Sequence, residues 1–370
     1  MGMFFKWRNE AFFLKKQFLI SGEKLDYNFT YMYKEKITIL TCGTAGHVFP
    51  ALVLAEYLVQ NQYPVTLILD KISGKRYENL INKFKNPYLQ VITTTPFKNK
   101  ILMPITFFVN IFQGGAAIMK ASSIICFVAG LQIPLLCWAS LWCKKFFLHE
   151  QDSILNKTNG LFKYFASNIF TSFKEVEKAR KYTWVGCPIK SNYRGDFKVE
   201  DYCITILAGT NGSRLFDQQL IHELIKLENI QKYTIYHNCR RENISFLEKF
   251  YTDHSIKAYV STYFENFEEL IIKSTFLITR SGASTIAYLA MYKKKAIIIP
   301  WGHSSQNHQI KNGILLEQVA ASIVLQENQI HLLIEKIQLI LDKFASYEDN
   351  FSKVFKTVDA KKYMSILFDN

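Results

Sequence analysis

The sequence predicts an α/β protein of two Rossmann-like domains, each a parallel sheet with helices on both faces, meeting across a cleft. Three observations predict it. At 370 residues the chain is too long for one ordinary core. An apolar strand, a glycine-bearing turn and an amphipathic helix recur in that order. Two such units begin about 165 residues apart, at Ile37 and Cys203, which suits one unit per domain.

The first unit runs from a strand at Ile37–Thr41 into a helix at Pro50–Val59. The next runs from Cys203–Ala208 into Phe216–Leu227. A third joins Phe276–Thr279 to Thr285–Tyr292 and is followed by a strand at Ala296–Pro300. Pro188, Asn192, Gly195 and Asp196 mark a linker around Gly186 to Val199. Residues 1–36 carry aromatic residues broken by Lys6, Arg8, Lys15 and Lys16, so no signal-peptide core forms. They read equally as a membrane-surface helix, a poorly ordered extension, or an artefact of a start placed upstream of Met32. From Lys120 to Lys144 there is no charge, and length alone reads as a span. Gly130 and Pro134 interrupt it, and the adopted reading is a buried strand at 124–128 and a core helix at 135–143.

Composition narrows the partners. Hydrophobic content of 49% supports packed domains, and 45 basic against 31 acidic residues give a net charge of +14. That charge favours an anionic membrane surface or phosphorylated substrates. Nucleic acid is not expected, because no zinc-finger spacing, aromatic RNA motif or dense arginine stripe is present. Seven scattered cysteines without a CxxC suit reduced thiols in the cytosol.

Three loops follow strands and open helices. The first is Thr41-Cys42-Gly43-Thr44-Ala45-Gly46-His47-Val48-Phe49-Pro50. Small residues there let backbone amides approach a phosphate, and the helix dipole favours negative charge. It is neither a GxGxxG nor a lysine P-loop, and a plain tight turn is the alternative. The second is Ala208 to Arg214. The third, Thr279 to Thr285, is followed by Pro300-Trp301-Gly302-His303 and Asn307-His308-Gln309, where hydroxyls and amides gather at helix starts.

These loops resemble those of the MurG family, which converts lipid I to lipid II in peptidoglycan synthesis. Cys42 to Pro50 matches the family's G-G-T-G-G-H-V-F-P, with Cys42 and Ala45 departing. Arg280-Ser281-Gly282-Ala283-Ser284-Thr285 matches R-[SA]-G-A-x-T, and Asn307-His308-Gln309 with Asn312 matches the H-Q loop. Gly186-Cys187-Pro188-Ile189-Lys190 is similar to G-N-P-V-R, and His149-Glu150-Gln151-Asp152 to H-E-Q-N. The matches lie in order from about residue 37 to about 325.

The resemblance implies a GT-B architecture, with an acceptor-binding, membrane-associated domain over 37–190 and a UDP-sugar domain over 197–350. A last helix, about 353–370, packs back on the first. It implies inverting transfer of N-acetylglucosamine from UDP-N-acetylglucosamine to the 4-hydroxyl of the muramyl sugar of lipid I. The place would be the cytoplasmic face of the bacterial inner membrane, with peripheral attachment. No obligatory metal or other cofactor is implied, and no D-x-D pair is present; His303 and His308, five apart, do not share a helical face. By carry-over, His47 is the general base. Gly43, Thr44, Gly46 and His47 line the acceptor pyrophosphate site. Thr44, Asp152, Lys190, Thr210, Tyr263, Phe264, Arg280, Ala283, Ser284, Tyr288, His308 and Gln309 bind the donor. Asp152 stands where the family has asparagine, Lys190 where it has arginine, and Tyr288 where it has the ribose-binding glutamate. Two alternatives remain open: a related glycolipid transferase acting on diacylglycerol, and a catalytically impaired membrane-associated homologue.

Overall fold

Runs of Ile, Val, Leu and Thr buried on both faces form the central strands of two parallel sheets, the pattern expected when helices cover each side. The computed structural model describes residues 34–95, 103–127, 133–142, 145–176, 181–190, 199–209, 212–343 and 350–369. Most of the 1–36 extension therefore lies outside the described residues.

The first sheet comprises β1 (Ile37–Thr41), β2 (Val65–Asp70), β3 (Leu89–Thr94), β4 (Ser123–Phe127), β5 (Phe146–Glu150), β6 (Asn168–Thr171) and β7 (Tyr182–Trp184). Their order is β3-β2-β1-β4-β5-β6-β7, every pairing parallel. A short strand β8 (Cys187–Pro188) follows. The second sheet holds β9 (Cys203–Leu207), β10 (Thr234–Asn238), β11 (Lys257–Ser261), β12 (Phe276–Thr279), β13 (Ala296–Ile298) and β14 (Ile323–Val324), ordered β11-β10-β9-β12-β13-β14. In each sheet the chain reverses direction of growth beside the first strand. Parallel α/β sheets bind ligands at the carboxyl ends of the strands beside such a reversal.

The helices that position the site are α1 (Ala45–Gln60), α2 (Met103–Met119), α3 (Ile133–Trp142), α4 (Phe267–Lys273), α5 (Ala283–Met291), α6 (His308–Gln318) and α7 (Ala360–Asp369). The uncharged stretch after Lys120 folds into buried β4 and the ten-residue α3, which packs on α2. No helix among the described residues is long and apolar enough to cross a membrane.

The chain crosses between the sheets twice, and the crossings bind each other. β8 pairs in parallel with β15 (Thr357–Val358), and Cys187 N donates to Lys356 O at 2.8 Å. Gly186 precedes β8 with φ +107°, and a Cβ there would stand 2.9 Å from Lys356 Cβ; no other residue fits both conditions. Beyond β15, α7 returns to the first sheet, where Tyr363, Met364 and Leu367 join the core of Ile39, Val48 and Phe170. The Tyr363 hydroxyl lies 3.0 Å from His149 Nδ1, and both residues are buried.

Tyr363→Phe keeps the ring and strands that imidazole nitrogen. Unfolding in urea is expected to show a loss of about 1–3 kcal/mol, and Tyr363→Ala a loss of about 3–5 kcal/mol. Unchanged stability in both would mean that α7 is not part of the first core.

Candidate active site

The site begins at the carboxyl end of β1. Gly43 takes φ +88°, turning the chain into α1, and its N–H donates to Ser73 Oγ (2.9 Å) and Asp70 Oδ2 (3.3 Å). That amide is consumed internally, so Gly43 shapes the acceptor loop expected from sequence and does not offer it a donor. Thr44 is the N-cap of α1 yet makes no side-chain cap bond, which leaves the amino end of a 16-residue helix facing the cleft. Ala45 and Gly46 form the first turn, and Thr41 Oγ1 donates to His47 O (3.0 Å), pinning that turn to the end of β1.

His47 is half-buried. Burial lowers its pKa below the usual 6.5; the charge of Asp152 opposes that, and His308 reinforces it. These groups converge from both sheets. His47 and Asp152 come from the first, and His308 opens α6 of the second. A depressed imidazole is neutral at pH 7 and free to take a proton.

Behind His47 lies a fully buried layer, His149 and Glu150 of the stretch similar to H-E-Q-N. His149 sits between the Tyr363 hydroxyl and Ser172 Oγ (3.1 Å), and burial, with the charge of His47, lowers its pKa to about 3. It is a neutral brace. Glu150 accepts from Gln151 N (3.0 Å), Asp152 N (3.2 Å), Asn156 N (2.8 Å), Asn156 Nδ2 and Asn159 Nδ2 (both 2.9 Å). Burial and the neighbouring Asp152 push it up to about 8, against the pull of those donors. Their signal in the sequence was the H-E-Q-N-like stretch, to which the resemblance assigned no role for His149 or Glu150.

Asn312, on α6 and wholly buried, joins the two sheets. Its Nδ2 donates to Asp152 Oδ1 (2.9 Å) and Ser281 O (3.0 Å), and its Oδ1 accepts from Ser153 N (2.8 Å). Asp152 is thus placed at the junction of the sheets, where its carboxylate is an acceptor for that amide. Ser281 Oγ in turn donates to Gln309 O (2.7 Å).

On the second side, α5 starts at Ala283 and Ser284 with Gly282 as an N-cap that has no side-chain bond. His308 Nδ1 donates to Ser305 O (2.7 Å), which leaves Nε2 as the acceptor nitrogen. Gln306 and Asn307, just before α6, hold φ of +53° and +56°, in the left-handed region. Gln309 Oε1 accepts from Trp301 N (3.1 Å). Tyr263 is exposed, and Phe264 sets its edge to Tyr236 at 6.1 Å.

Four residues differ from the sequence-based expectation. Lys190 Nζ pairs with Glu56 at 2.7 Å, in a crevice lined by Val53, Tyr57, Ile189 and Val358 on the crossing side, so its charge is spent on the hinge. Arg280 is buried, donates to Ile299 O, Pro300 O and Ser213 Oγ, pairs with Glu327 at 2.8 Å and lies over Phe216; it braces the loops, with no fork left for phosphate. Tyr288 sets its face against Phe267 at 4.7 Å, and burial raises its hydroxyl, so a packed neutral phenol stands at the expected ribose position. The carboxylate beside it is Glu268 on α4, which accepts from the Tyr292 hydroxyl. Gly43, as above, is the fourth. Thr210 lies outside the described residues.

Asn312→Ala removes three bonds that cross or flank the junction. The expected cost is about 1–3 kcal/mol per stranded buried group, with a larger radius of gyration by solution scattering as the sheets part. Unchanged melting and scattering would show that the bracket does not hold the sheets together.

Two family models match in order: the glycosyltransferase family 28 N-terminal domain over residues 37–171 and the C-terminal domain of the same family over 203–364. The UDP-N-acetylglucosamine–N-acetylmuramyl-(pentapeptide) pyrophosphoryl-undecaprenol N-acetylglucosamine transferase of Wolbachia sp. subsp. Drosophila simulans (strain wRi) is 27% identical over 301 residues, covering 79% of this chain and 85% of that one. The enzyme of the same name from Coxiella burnetii (strain Dugway 5J108-111) is 25% identical over 317 residues, covering 80% and 86%. Among solved structures, MurG of Acinetobacter baumannii superposes with a TM-score of 0.71 at 18% identity, covering 91% of this chain and all of that one. A glycosyltransferase from Rickettsia africae ESF-5 gives a TM-score of 0.57 at 13% identity, covering 91% and 98%. The two facing Rossmann-like sheets are therefore a GT-B fold, and the chain belongs to glycosyltransferase family 28.

Proposed function

We infer that the protein transfers N-acetylglucosamine from UDP-N-acetylglucosamine to the 4-hydroxyl of the muramyl sugar of lipid I, forming lipid II. The observation that carries this reading is the convergence of a neutral His47, at an uncapped helix start in one sheet, with His308 and Gln309 at a helix start in the other. The activity named for the relatives supplies the substrates.

In this reading His47 takes the proton of the acceptor 4-hydroxyl as that oxygen attacks the anomeric carbon. The bond from that carbon to the UDP oxygen breaks, configuration inverts, and UDP leaves with the electron pair. Negative charge grows on the diphosphate, where the amino end of α5 and the amides of Ala283 and Ser284 stand ready. Such preset dipoles need no reorganisation during the reaction, and no step is routed through a metal. His308 and Gln309 hold the sugar hydroxyls, and Tyr263 with Phe264 holds the base.

Membrane docking belongs to the first domain. On α2 the exposed residues Ile105, Phe108, Val109, Phe112, Ala116 and Met119 follow helical spacing, with Phe108 at 70% and Phe112 at 90% exposure. The buried face of the same helix packs on α3. A wholly apolar outer face followed by Lys120, in a chain of net charge +14, suits an anionic lipid surface. We place the working site at the cytoplasmic face of the bacterial inner membrane.

The deciding measurement is transfer from labelled UDP-N-acetylglucosamine to a short-chain lipid I analogue; UDP binding without transfer would instead identify an impaired homologue. His47→Ala is expected to lower turnover by ~10²–10⁴-fold with donor affinity nearly unchanged. The acid limb of kcat/KM should lie below pH 6.5, because His47 is depressed. Asp152→Asn should move it lower still, since the lost charge was holding that pKa up. A limb at or above 6.5 would reassign the base.

For docking, Phe108→Asp with Phe112→Asp is expected to release the protein from anionic vesicles in sedimentation while turnover on a detergent-soluble acceptor persists. Undiminished vesicle binding would move the docking face elsewhere.

A further inference from the structure

Gln151 is only 1% exposed, and its side-chain nitrogen Nε2 has no hydrogen-bond partner among the described residues. An unpaired buried donor is unfavourable, and a ligand oxygen placed beside it would satisfy it. The amide end lies against the first turn of α1: its Oε1 is 3.8 Å from where a Cβ on Gly46 would stand. That turn is the uncapped amino end described above.

The backbone explains why the side chain cannot turn away. Glu150 takes the N–H of both Gln151 and Asp152, together with three donors from Asn156 and Asn159. Two residues on, Ser153 N is held by Asn312 of the other sheet. Fixed at both ends, the segment keeps the Gln151 amide at the helix start. Asp152, the next residue, has its Oδ1 on Asn312. What the pocket offers a ligand is donors and the positive end of a helix, which select an anionic oxygen.

We propose that Gln151 is an acceptor-binding residue whose side-chain amide donates to an oxygen of the acceptor's diphosphate, seated at the amino end of α1. This rests on the lipid I reading for the identity of the acceptor, but not for the anion.

Gln151→Met separates the roles, because it keeps length and burial and removes the polar amide. No internal bond is lost, so its melting temperature should equal or exceed that of the wild type. In the transfer assay the acceptor KM should rise ~10–100-fold, the worth of one hydrogen bond to a charged group, with donor KM and kcat at saturating acceptor little changed. Gln151→Glu, which adds a negative charge, should be at least as impaired. A second readout needs no turnover: calorimetry of inorganic pyrophosphate on full-length, UDP-saturated protein should show binding in the wild type and weakening in Gln151→Met. If the wild type performs no transfer but binds pyrophosphate through Gln151, the lipid I reading fails and the anion site stands. Unchanged acceptor KM and pyrophosphate affinity in Gln151→Met would overturn the proposal. So would a melting loss with equal rises in both KM values, the mark of a structural role.

Discussion

The side chain of Asn312 is the contact on which the catalytic geometry depends. A primary amide offers donors and an acceptor on one rigid plane, so it can satisfy Asp152, Ser281 and Ser153 at once. Because Asn312 is wholly buried, each of those bonds replaces one to water, and breaking any would strand a group in a low-dielectric junction. The result is that a loop of the first sheet and two helix starts of the second hold a fixed relation. That relation sets His47 of the first sheet within electrostatic reach of His308 of the second.

The electrostatics of the cleft follow from what is missing at the helix ends as much as from charged side chains. Neither Thr44 nor Gly282 caps its helix with a side chain. Two positive helix ends therefore meet in one cleft, suited to a reaction that handles two diphosphates. Positive charge there would be redundant, and the obvious cations are used elsewhere: Arg280 braces strand ends and Lys190 closes the hinge against Glu56. The buried layer of His149 and Glu150 is tied by hydrogen bonds to three segments of the first domain and to α7. It keeps the reacting loop rigid where solvent is absent.

Rigidity at the cleft coexists with a narrow connection behind it. Both crossings pair as β8 and β15, and residues flanking them, Phe173, Cys187 and Phe355, share a core with Ile286 and Leu316 of the second sheet. The return of α7 then secures the first domain with residues from the far end of the chain. The outward face of α2 is untouched by any of this packing, and its apolar surface is left for a partner outside the chain.

Periodicity was sufficient for the fold, because a parallel strand buried on both faces announces itself as an apolar run and the turn after it as glycine. Ile37–Thr41 and Cys203–Leu207 were legible for that reason, and so were the three loops. His47 was marked by the resemblance of its loop, with an imidazole that titrates near neutrality suiting the role. What the sequence could not carry is the partner of each polar group. Arg280 reads as a phosphate ligand in its motif, yet its two terminal nitrogens meet two carbonyls, Ser213 and Glu327, which lie 19 to 67 positions away. Lys190 meets Glu56, and Tyr288 meets Phe267, on the same grounds. Gln151 stands in the H-E-Q-N-like stretch without an assigned role, and only tertiary packing buries it beside Gly46 with its Nε2 unpaired. Hydrophobic patterning is local and survives in one dimension; hydrogen-bond partnership is set by long-range contacts, and only the folded chain decides it.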